Sequence, residues 1–391
     1  MRIYKTIWQT RKMYFLLAVI CVLLLFAVRL PAYAVEYEIV NIPAQPWWTL
    51  YPSDINNRGE VVGLLEWYIQ WSIFPIIGIN KVFLYSYDTY TELWPMSRLN
   101  TLLGVHDYRV LINDSGTVAG SITMSPMDNG EGFIYKDGRY KMFLPPQWKS
   151  VYEVTAINEK DAIIGSGIDG IGTQNGFMYH EGTYTELLPP GWINAYAHAL
   201  NNDGTVVGNG SDSTGTQKGF LYREGIYTEL LPPGWQWAQV VTINERGSVI
   251  GLGNTSIDLP GTKGFIYSEG TYTEIIPSEC EESNLKDIND YDAVIGTGWC
   301  GTLEKGFMYH EGSYTELDIS PIAINNDGTV VGSSSTDKVY VYSKGTYTEL
   351  SSPEWSKLFP IDLNNTGTVV GQGWYNNGQK IVIRGFIAVP K

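Results

Sequence analysis

A nine-residue segment recurs eight times along this chain, and it constrains the fold more than any other feature. The segment reads Ile/Leu-Asn-Asn-x-Gly-x-Val-Val-Gly, with some copies looser than others. Its first asparagine falls at Asn56, Asn113, Asn158, Asn201, Asn244, Asn289, Asn325 and Asn364. The spacings are 57, 45, 43, 43, 45, 36 and 39 residues, with a mean of 44. Self-similarity at a period of this length is typical of repeat architectures, in which each copy forms one structural unit.

A second segment follows most copies of the first and completes the unit. It reads Gly-Phe-x-Tyr-x-x-Gly-x-Tyr-Thr-Glu-Leu, with clear copies beginning at Gly132, Gly176, Gly219, Gly264 and Gly306, and looser ones at Val82 and Val339. In the fourth unit, β-compatible runs at 195–200, 205–208, 219–222 and 226–230 are separated by glycine-containing turns. Because no helical period is sustained, four short strands per unit predict a β-propeller blade.

The two ends of the chain predict how the ring closes. The eighth unit stops after Gly385–Ala388 and lacks its fourth strand, whereas Tyr37–Val40 resembles a fourth strand without a preceding unit. If this N-terminal strand completes the last blade, no sheet edge stays open between the ends. We therefore predict an all-β fold, a single propeller over residues 35–391 with eight four-stranded blades. Seven blades is the alternative if the irregular first unit does not form a full blade.

Residues 1–34 have the pattern of a secretory signal peptide. Basic residues precede a 14-residue apolar run from Phe15 to Val28, and Ala32-Tyr33-Ala34 provides a small-x-small cleavage site. An uncleaved N-terminal anchor is the alternative, although a comfortable membrane span needs about 20 residues. We therefore expect a secreted protein, extracellular or in the cell envelope, with no stable membrane span after cleavage.

The charge balance excludes one class of partner. The formal net charge is −15 for the whole chain. Cleavage after residue 34 removes five cations and leaves 21 Lys and Arg against 41 Asp and Glu, a net charge of −20. An acidic protein of this kind is not expected to bind the phosphate backbone of nucleic acid.

The repeat resembles that of the HAF-repeat family of exported bacterial proteins, in which an Ile-Asn-x-x-Gly-x-Val-x-Gly turn joins an aromatic Phe-x-x-x-x-Gly hairpin. One departure is visible, since the His-Ala-Phe that names the family is Lys-Gly-Phe at 218–220 and 263–265 and Asn-Gly-Phe at 175–177. The resemblance implies a propeller-like exported protein, and it implies no active site.

The connections between blades suggest a binding face. In an up-and-down blade, these connections and the loops between the second and third strands lie on one side of the ring, which we call the loop face. The Asn-Asn and Glu-Gly hairpins lie on the other side, the hairpin face. Many of the connections carry a Pro-Trp element, and further aromatic residues fall on the same face. The candidate ligand-binding residues are Trp48, Trp148, Trp192, Trp235, Trp355, Trp374 and Tyr375. The alternative is that these rings fill the wedges between blades, because tryptophan buries a large apolar area.

A second candidate surface is the apolar insert at 64–79, whose aromatic residues Trp67, Tyr68, Trp71 and Phe74 could dock a partner. The favoured function is therefore a non-enzymatic propeller, expected to be a monomer, that binds a glycan or a cell-surface protein. A scaffold for envelope assembly is one alternative. A polysaccharide lyase or hydrolase with its site at the central channel is another.

The remaining chemistry-bearing residues predict a disulfide and little else. Hairpin register in the sixth unit places Cys280 opposite a residue near 301, so a bond from Cys280 to Cys300 is expected. No nucleophile elbow, phosphate-binding loop or metal-ligand spacing is present, so the sequence predicts no catalytic residue, metal or cofactor. A propeller enzyme can assemble its site from several blades, which keeps the enzyme alternative open.

Overall fold

The computed structural model describes residues 35–44, 48–69, 77–93, 100–101, 109–122, 130–256, 261–378 and 380–391. They form eight antiparallel sheets of strands that succeed one another along the chain. The first strand is β1 (Tyr37–Asn41). Blade 1 consists of β2 (Thr49–Ile55), β3 (Val61–Ile69), β4 (Ile77–Ser86) and β5 (Thr89–Glu92), with the short β6 (Asn100–Thr101) beside β4. Blade 2 consists of β7 (Val110–Ile112), β8 (Val118–Ile122), β9 (Glu131–Lys136) and β10 (Arg139–Phe143), and blade 3 of β11 (Ser150–Ile157), β12 (Ile163–Ile168), β13 (Gln174–His180) and β14 (Thr183–Leu187). Blade 4 consists of β15 (Trp192–Leu200), β16 (Val206–Asp212), β17 (Gln217–Arg223) and β18 (Ile226–Leu230).

The second half of the ring repeats this order. Blades 5 to 7 are β19 (Trp237–Ile243), β20 (Val249–Asn254), β21 (Lys263–Ser268) and β22 (Thr271–Ile275); β23 (Glu282–Ile288), β24 (Val294–Cys300), β25 (Leu303–His310) and β26 (Ser313–Leu317); and β27 (Ser320–Ile324), β28 (Val330–Ser333), β29 (Val339–Ser343) and β30 (Thr346–Leu350). Blade 8 consists of β31 (Trp355–Leu363), β32 (Val369–Asn376) and β33 (Ile381–Pro390), completed by β1.

The predicted closure by the N-terminal strand is confirmed. β1 pairs antiparallel with β33, with Tyr37 opposite Pro390 and Asn41 opposite Phe386. The first strands of successive blades contact one another around the axis, and β2 of blade 1 contacts β31 of blade 8. The fold is thus an eight-bladed β-propeller, as predicted, and the seven-blade alternative is wrong. The part of the chain described above contains no helix long and apolar enough to cross a membrane.

The first hairpin turns of the eight repeats form two closed rings of hydrogen bonds between blades on the hairpin face. In the first ring, each buried first asparagine donates its side-chain amide to the main-chain oxygen of the equivalent asparagine in the next blade, at 2.9–3.4 Å. In the second ring, a side-chain oxygen of the following residue accepts from the main-chain N–H of the equivalent residue in the preceding blade, at 2.7–3.0 Å. The members of this second ring are Asn57, Asp114, Glu159, Asn202, Glu245, Asp290, Asn326 and Asn365. The hairpin turns therefore hold neighbouring blades together as well as reversing the chain.

The Val-Val-Gly and Gly-Phe parts of the repeat meet inside each blade. In blade 4, Gly208 lies opposite Phe220, and a Cβ on this glycine would approach the main-chain oxygen of Tyr196 to 2.1 Å and the Phe220 ring to 2.6 Å. The absence of a side chain lets the ring lie flat over the second strand, which explains why the glycine recurs.

Candidate functional sites on the loop face and in the channel

Four of the seven aromatic candidates lie in the interior of the propeller. Trp48, Trp192, Trp235 and Trp355 are between 6 and 9% exposed. Trp192 packs edge-on against Phe220 with ring centroids 6.0 Å apart, and its indole N–H donates to Glu229 at 3.1 Å. Trp235 and Trp355 pack in the same way on the phenylalanines of their own blades. These tryptophans are thus buried, as in the alternative stated above, but the ring contacts of Trp192, Trp235 and Trp355 are with phenylalanines of their own blades. The four rings offer no exposed face for stacking.

The other three candidates are more exposed to solvent than these four tryptophans, each to a different extent. Trp148 is half-buried and packs edge-on against Phe177 at 5.8 Å. Tyr375 is also half-buried and packs on Trp355, with centroids 5.1 Å apart. Trp374 is 44% exposed at the loop-face end of β32. Of the predicted ligand-binding residues, Trp374 is therefore the one that presents a broad aromatic surface to solvent.

A small group of side chains surrounds Trp374, and we call Asp337, Lys357, Phe359 and Trp374 the loop-face cluster. The Phe359 and Trp374 rings are 6.1 Å apart and steeply inclined. The Lys357 ammonium lies over both rings, 5.1 Å from the centroid of Phe359 and 5.8 Å from that of Trp374. Its Nζ also binds the Asp337 carboxylate of blade 7 at 2.8 Å. The cluster combines an exposed ring with a cation that contacts two aromatic rings and a carboxylate.

The predicted partner-docking insert is an extension of blade 1. β3 and β4 continue past the other blades, with Trp67 opposite Ile79 and Tyr68 opposite Gly78. Trp71 and Phe74 lie outside the described residues, as do all of 70–76. The docking role of this insert stays a prediction.

A group of carboxylates that the sequence analysis did not single out lies on the inner strands. Asp54, Asp287 and Asp362 each occur two residues before the first asparagine of their repeat. Asp54 accepts from the main-chain N–H of Ile112 in the next blade at 2.8 Å, and Asp287 accepts in the same way from Ile324 at 3.1 Å. The Ile324 N–H lies beside the β-bulge of β27, one of seven inner strands that a bulge interrupts. The Ile112 N–H belongs to β7, which pairs with β8 without a register shift.

The surroundings of these carboxyls favour their protonated forms. Burial and, second, the neighbouring carboxyl of Asp362 raise the pKa of Asp54 to about 7, against the opposing effects of main-chain N–H groups and Arg109. Burial also raises the pKa of Asp287 to about 7 and raises that of Asp362, which is hydrogen-bonded to Asp54. On another inner strand, burial and Arg109 lower the pKa of His198. Asp54 and Asp362 therefore lie next to each other across the seam between blades 8 and 1, and the pKa of each is raised.

A sequence signal for this pair exists, although it is weak. The position two residues before the repeat asparagine holds Leu, Ala or Thr in the other five units, so a carboxylate there is an exception. The predicted ring closure makes units 1 and 8 neighbours, but the sequence does not reveal that these two carboxyls lie next to each other across the seam. Within the described ranges, no three His, Cys, Asp or Glu side chains are arranged to hold a metal ion.

The predicted disulfide is confirmed. Cys280 and Cys300 are bonded across the open end of the first hairpin of blade 6. Glu282 lies opposite Trp299 in this hairpin, so the register is the one expected from the turn at Asn289. The bond links the two strands of this hairpin at the loop-face end of blade 6, where Trp299 is exposed.

No protein-family model matches the chain, and no curated protein matches it. Among solved structures, an acylaminoacyl peptidase in complex with Z-Gly-Gly-Phe-chloromethyl ketone is 12% identical with a TM-score of 0.49, and the similarity covers 83% of this chain and 58% of that one. An oligogalacturonate lyase in complex with manganese is 12% identical with a TM-score of 0.44, covering 92% and 99% of the two chains. TolB from Acinetobacter baumannii is 13% identical with a TM-score of 0.39, covering 80% and 95%. This chain thus spans 58% of the length of the peptidase chain.

Proposed function

We propose that this protein is an exported, non-enzymatic β-propeller of the HAF-repeat type that binds a glycan on its loop face. The observation that carries the proposal is the loop-face cluster. The C–H face of a sugar ring packs on an exposed aromatic ring such as Trp374, while Lys357 donates to sugar hydroxyls and Asp337 accepts from them. The Lys357–Asp337 ion pair therefore places one donor and one acceptor beside the exposed ring.

Two features support the exported location. The basic, apolar and small-x-small segments at 1–34 are those of a signal peptide. The Cys280–Cys300 disulfide belongs with an oxidising compartment. N-terminal sequencing of the exported protein tests this part of the proposal, and the expected first residue is Val35. A protein that retains its first 34 residues contradicts cleavage.

The glycan proposal is tested by retention of the protein on insoluble and soluble polysaccharides. Wild type is expected to be retained on the polysaccharide, and Trp374→Ala is expected not to be retained. This variant should keep its fold, because the Trp374 ring is exposed. Tyr291→Ala is the matched control, since Tyr291 is also an exposed aromatic residue but lies on the hairpin face. If no polysaccharide retains the wild-type protein, the glycan proposal fails and a cell-surface protein docking on the 64–79 insert becomes the next candidate.

A polysaccharide lyase or hydrolase is the second candidate function, and the Asp54–Asp362 pair favours it. A carboxyl whose pKa lies near neutrality can act as a general acid or base. Against this, the carboxylate oxygens of Asp54 already accept from main-chain N–H groups of two blades. Release of reducing or unsaturated sugar ends by wild type, abolished in Asp362→Asn, would establish the enzyme. Binding without product release would support the non-enzymatic function.

A further inference from the structure

Blade 6 has an exposed tryptophan at the position that Trp374 occupies in blade 8. Trp299 and Trp374 each end a Val-x-Gly-x-Gly-Trp segment of the second strand, and no other repeat has an aromatic residue at this position. Trp299 is 48% and Trp374 is 44% exposed. The two tryptophans therefore allow a direct comparison between equivalent sites in two blades.

In blade 8, the strand next to the tryptophan supplies a cation to the ring. Lys357 lies directly opposite Trp374 on one side, and Ile383 lies opposite it on the other. Residues that face each other in antiparallel strands have their side chains on the same side of the sheet. Accordingly, the Lys357 ammonium is 5.8 Å from the centroid of the Trp374 ring, which is within the range of a cation–π contact.

In blade 6, both positions that flank the tryptophan hold a carboxylate instead. Glu282 lies opposite Trp299 on β23, and Glu304 lies opposite it on β25. Within the ranges that the structure describes, neither carboxylate is in an ion pair. Lys305, which follows Glu304 in the sequence, is bound by Glu316 at 3.1 Å. Trp299 thus has an acidic neighbour on each side, at the positions where blade 8 has a lysine and an isoleucine.

This site lies on a braced hairpin at the loop-face end of blade 6. The disulfide between Cys280 and Cys300 joins β23 to β24 beside Trp299. A two-residue turn then connects β24 to β25, with Cys300 opposite Leu303. Leu303 is 63% exposed at the tip of this hairpin. A small cation would leave this leucine uncovered, whereas a polypeptide can cover it together with Trp299, which favours a protein partner.

We propose that Trp299, Glu282 and Glu304 bind an arginine side chain of a partner polypeptide. The guanidinium stacks on the indole ring, in the place that the Lys357 ammonium takes in blade 8, and donates to the two carboxylates. Arginine suits the site because its planar group stacks on aromatic rings and carries five N–H donors. The site belongs to blade 6 and the loop-face cluster to blades 7 and 8, so the proposal does not depend on glycan binding.

The experiment measures binding of a hexapeptide of alternating glycine and arginine, acetylated and amidated, to the purified protein by isothermal titration calorimetry. The same peptide with citrulline in place of arginine is the uncharged control. Wild type is expected to bind the arginine peptide saturably and the citrulline peptide at least about tenfold more weakly. Trp299→Ala should weaken binding of the arginine peptide at least about fivefold. Trp374→Ala is the matched control, since it removes a similarly exposed ring from the same repeat position, and it should bind as wild type does.

A charge reversal tests the carboxylates. Glu282→Lys copies blade 8 by placing an ammonium next to Trp299, and it is expected to abolish binding of the arginine peptide. Glu311→Lys is the matched control for the change in overall charge. Glu311 lies in the second hairpin turn of the same blade, where blade 7 has Lys344 with a similar backbone conformation, and this variant should still bind. If Glu282→Lys does not fold, Glu282→Gln is expected to weaken binding at least about threefold.

Several results would overturn the proposal. They are absence of saturable binding to wild type, equal binding of the citrulline peptide, unchanged affinity in the folded Trp299 and Glu282 variants, and an equal loss of affinity in Trp374→Ala. Binding of a chitosan oligosaccharide that depends on Trp299, without binding of the arginine peptide, would also overturn it, because the site would then recognise an amino sugar.

Discussion

Asn364 donates its side-chain amide to the main-chain oxygen of Asn56 at 2.9 Å, and this bond joins residues 308 positions apart in the sequence. It is the last member of the first asparagine ring and closes it across the seam between blades 8 and 1. The same side chain accepts from the main-chain N–H groups of Thr366 and Thr368 through its Oδ1. One buried asparagine thus shapes its own turn and holds the two ends of the chain together.

Replacing this asparagine should destabilise the ring. Asn364→Ala leaves the N–H groups of Thr366 and Thr368 without their side-chain acceptor and removes one of the two donors to the Asn56 carbonyl, which keeps the Gly59 N–H. The expected loss is about 3 kcal/mol in the free energy of unfolding. Urea unfolding followed by tryptophan fluorescence measures it. Asn376→Ala is the control, because Asn376 is exposed and its side-chain oxygen accepts from the Gly378 N–H in its own loop. Equal stability of Asn364→Ala and wild type would show that the ring contributes nothing.

The glycine of the Val-Val-Gly segment should tolerate no side chain. Gly208→Ala places a methyl group 2.1 Å from the main-chain oxygen of Tyr196, so the two inner strands must separate, at an expected cost of about 3 kcal/mol or more. Gly204→Ala provides the contrast. Gly204 has φ of +85° in the hairpin turn but open space around it, so its cost is only the conformational one of about 1 kcal/mol. Urea midpoints measure the loss of stability in each variant. A larger loss in Gly204→Ala than in Gly208→Ala would contradict this account of the repeat.

The buried carboxyls of the inner strands should make the protein less stable as the pH rises. Because the pKa values of Asp54 and Asp287 are raised to about 7 in the fold, the folded protein binds more protons than the unfolded chain between pH about 4 and about 7. Each such group lowers the free energy of unfolding by about 1.4 kcal/mol per pH unit in that window, and the loss levels off above it.

Asp362→Asn tests the coupling within this group. It keeps the side-chain oxygen that accepts from the Leu363 N–H and removes the charge that faces Asp54, so the fall in stability between pH 4 and 7 should become shallower. Urea midpoints across this range measure the slope. Asp203→Asn removes one charge from an exposed hairpin and is the control. A slope unchanged by Asp362→Asn would mean that Asp362 neither has a raised pKa of its own nor raises that of Asp54.

The disulfide should stabilise blade 6 by restricting the unfolded chain. The bond closes a loop with a sequence separation of 20 residues, for which loop-closure entropy predicts about 3 kcal/mol. The double variant Cys280→Ala/Cys300→Ala and the reduced wild-type protein should therefore lose similar amounts of stability in urea. Full stability in both would contradict a structural role.

Much of the architecture could be predicted because it is encoded locally. The Asn-Asn turn, the β-branched return strand and the Gly-Phe hairpin set the register of each blade within about 40 residues of sequence. Eight copies and a spare strand before the first one then predict eight blades closed by β1. The disulfide followed from the same hairpin register.

The sites were less predictable, since they depend on contacts between blades. Trp192 and Trp374 are both tryptophans near the loop face, yet the first is 6% and the second 44% exposed. Trp192 fills the space above Gly210 in its own blade, whereas Trp374 lies at the end of a strand beside Lys357. Residue type and spacing alone do not distinguish these positions.

By itself, the sequence determined the number of blades, the strand order and the way the ring closes, because these follow from a repeated hairpin pattern read along the chain. The tertiary structure alone decided which side chains meet across the seams. Asp54 and Asp362 lie next to each other across the seam between blades 8 and 1, and Lys357 of blade 8 binds Asp337 of blade 7. Such contacts join residues from different blades, and their distances depend on how closed sheets pack around an axis.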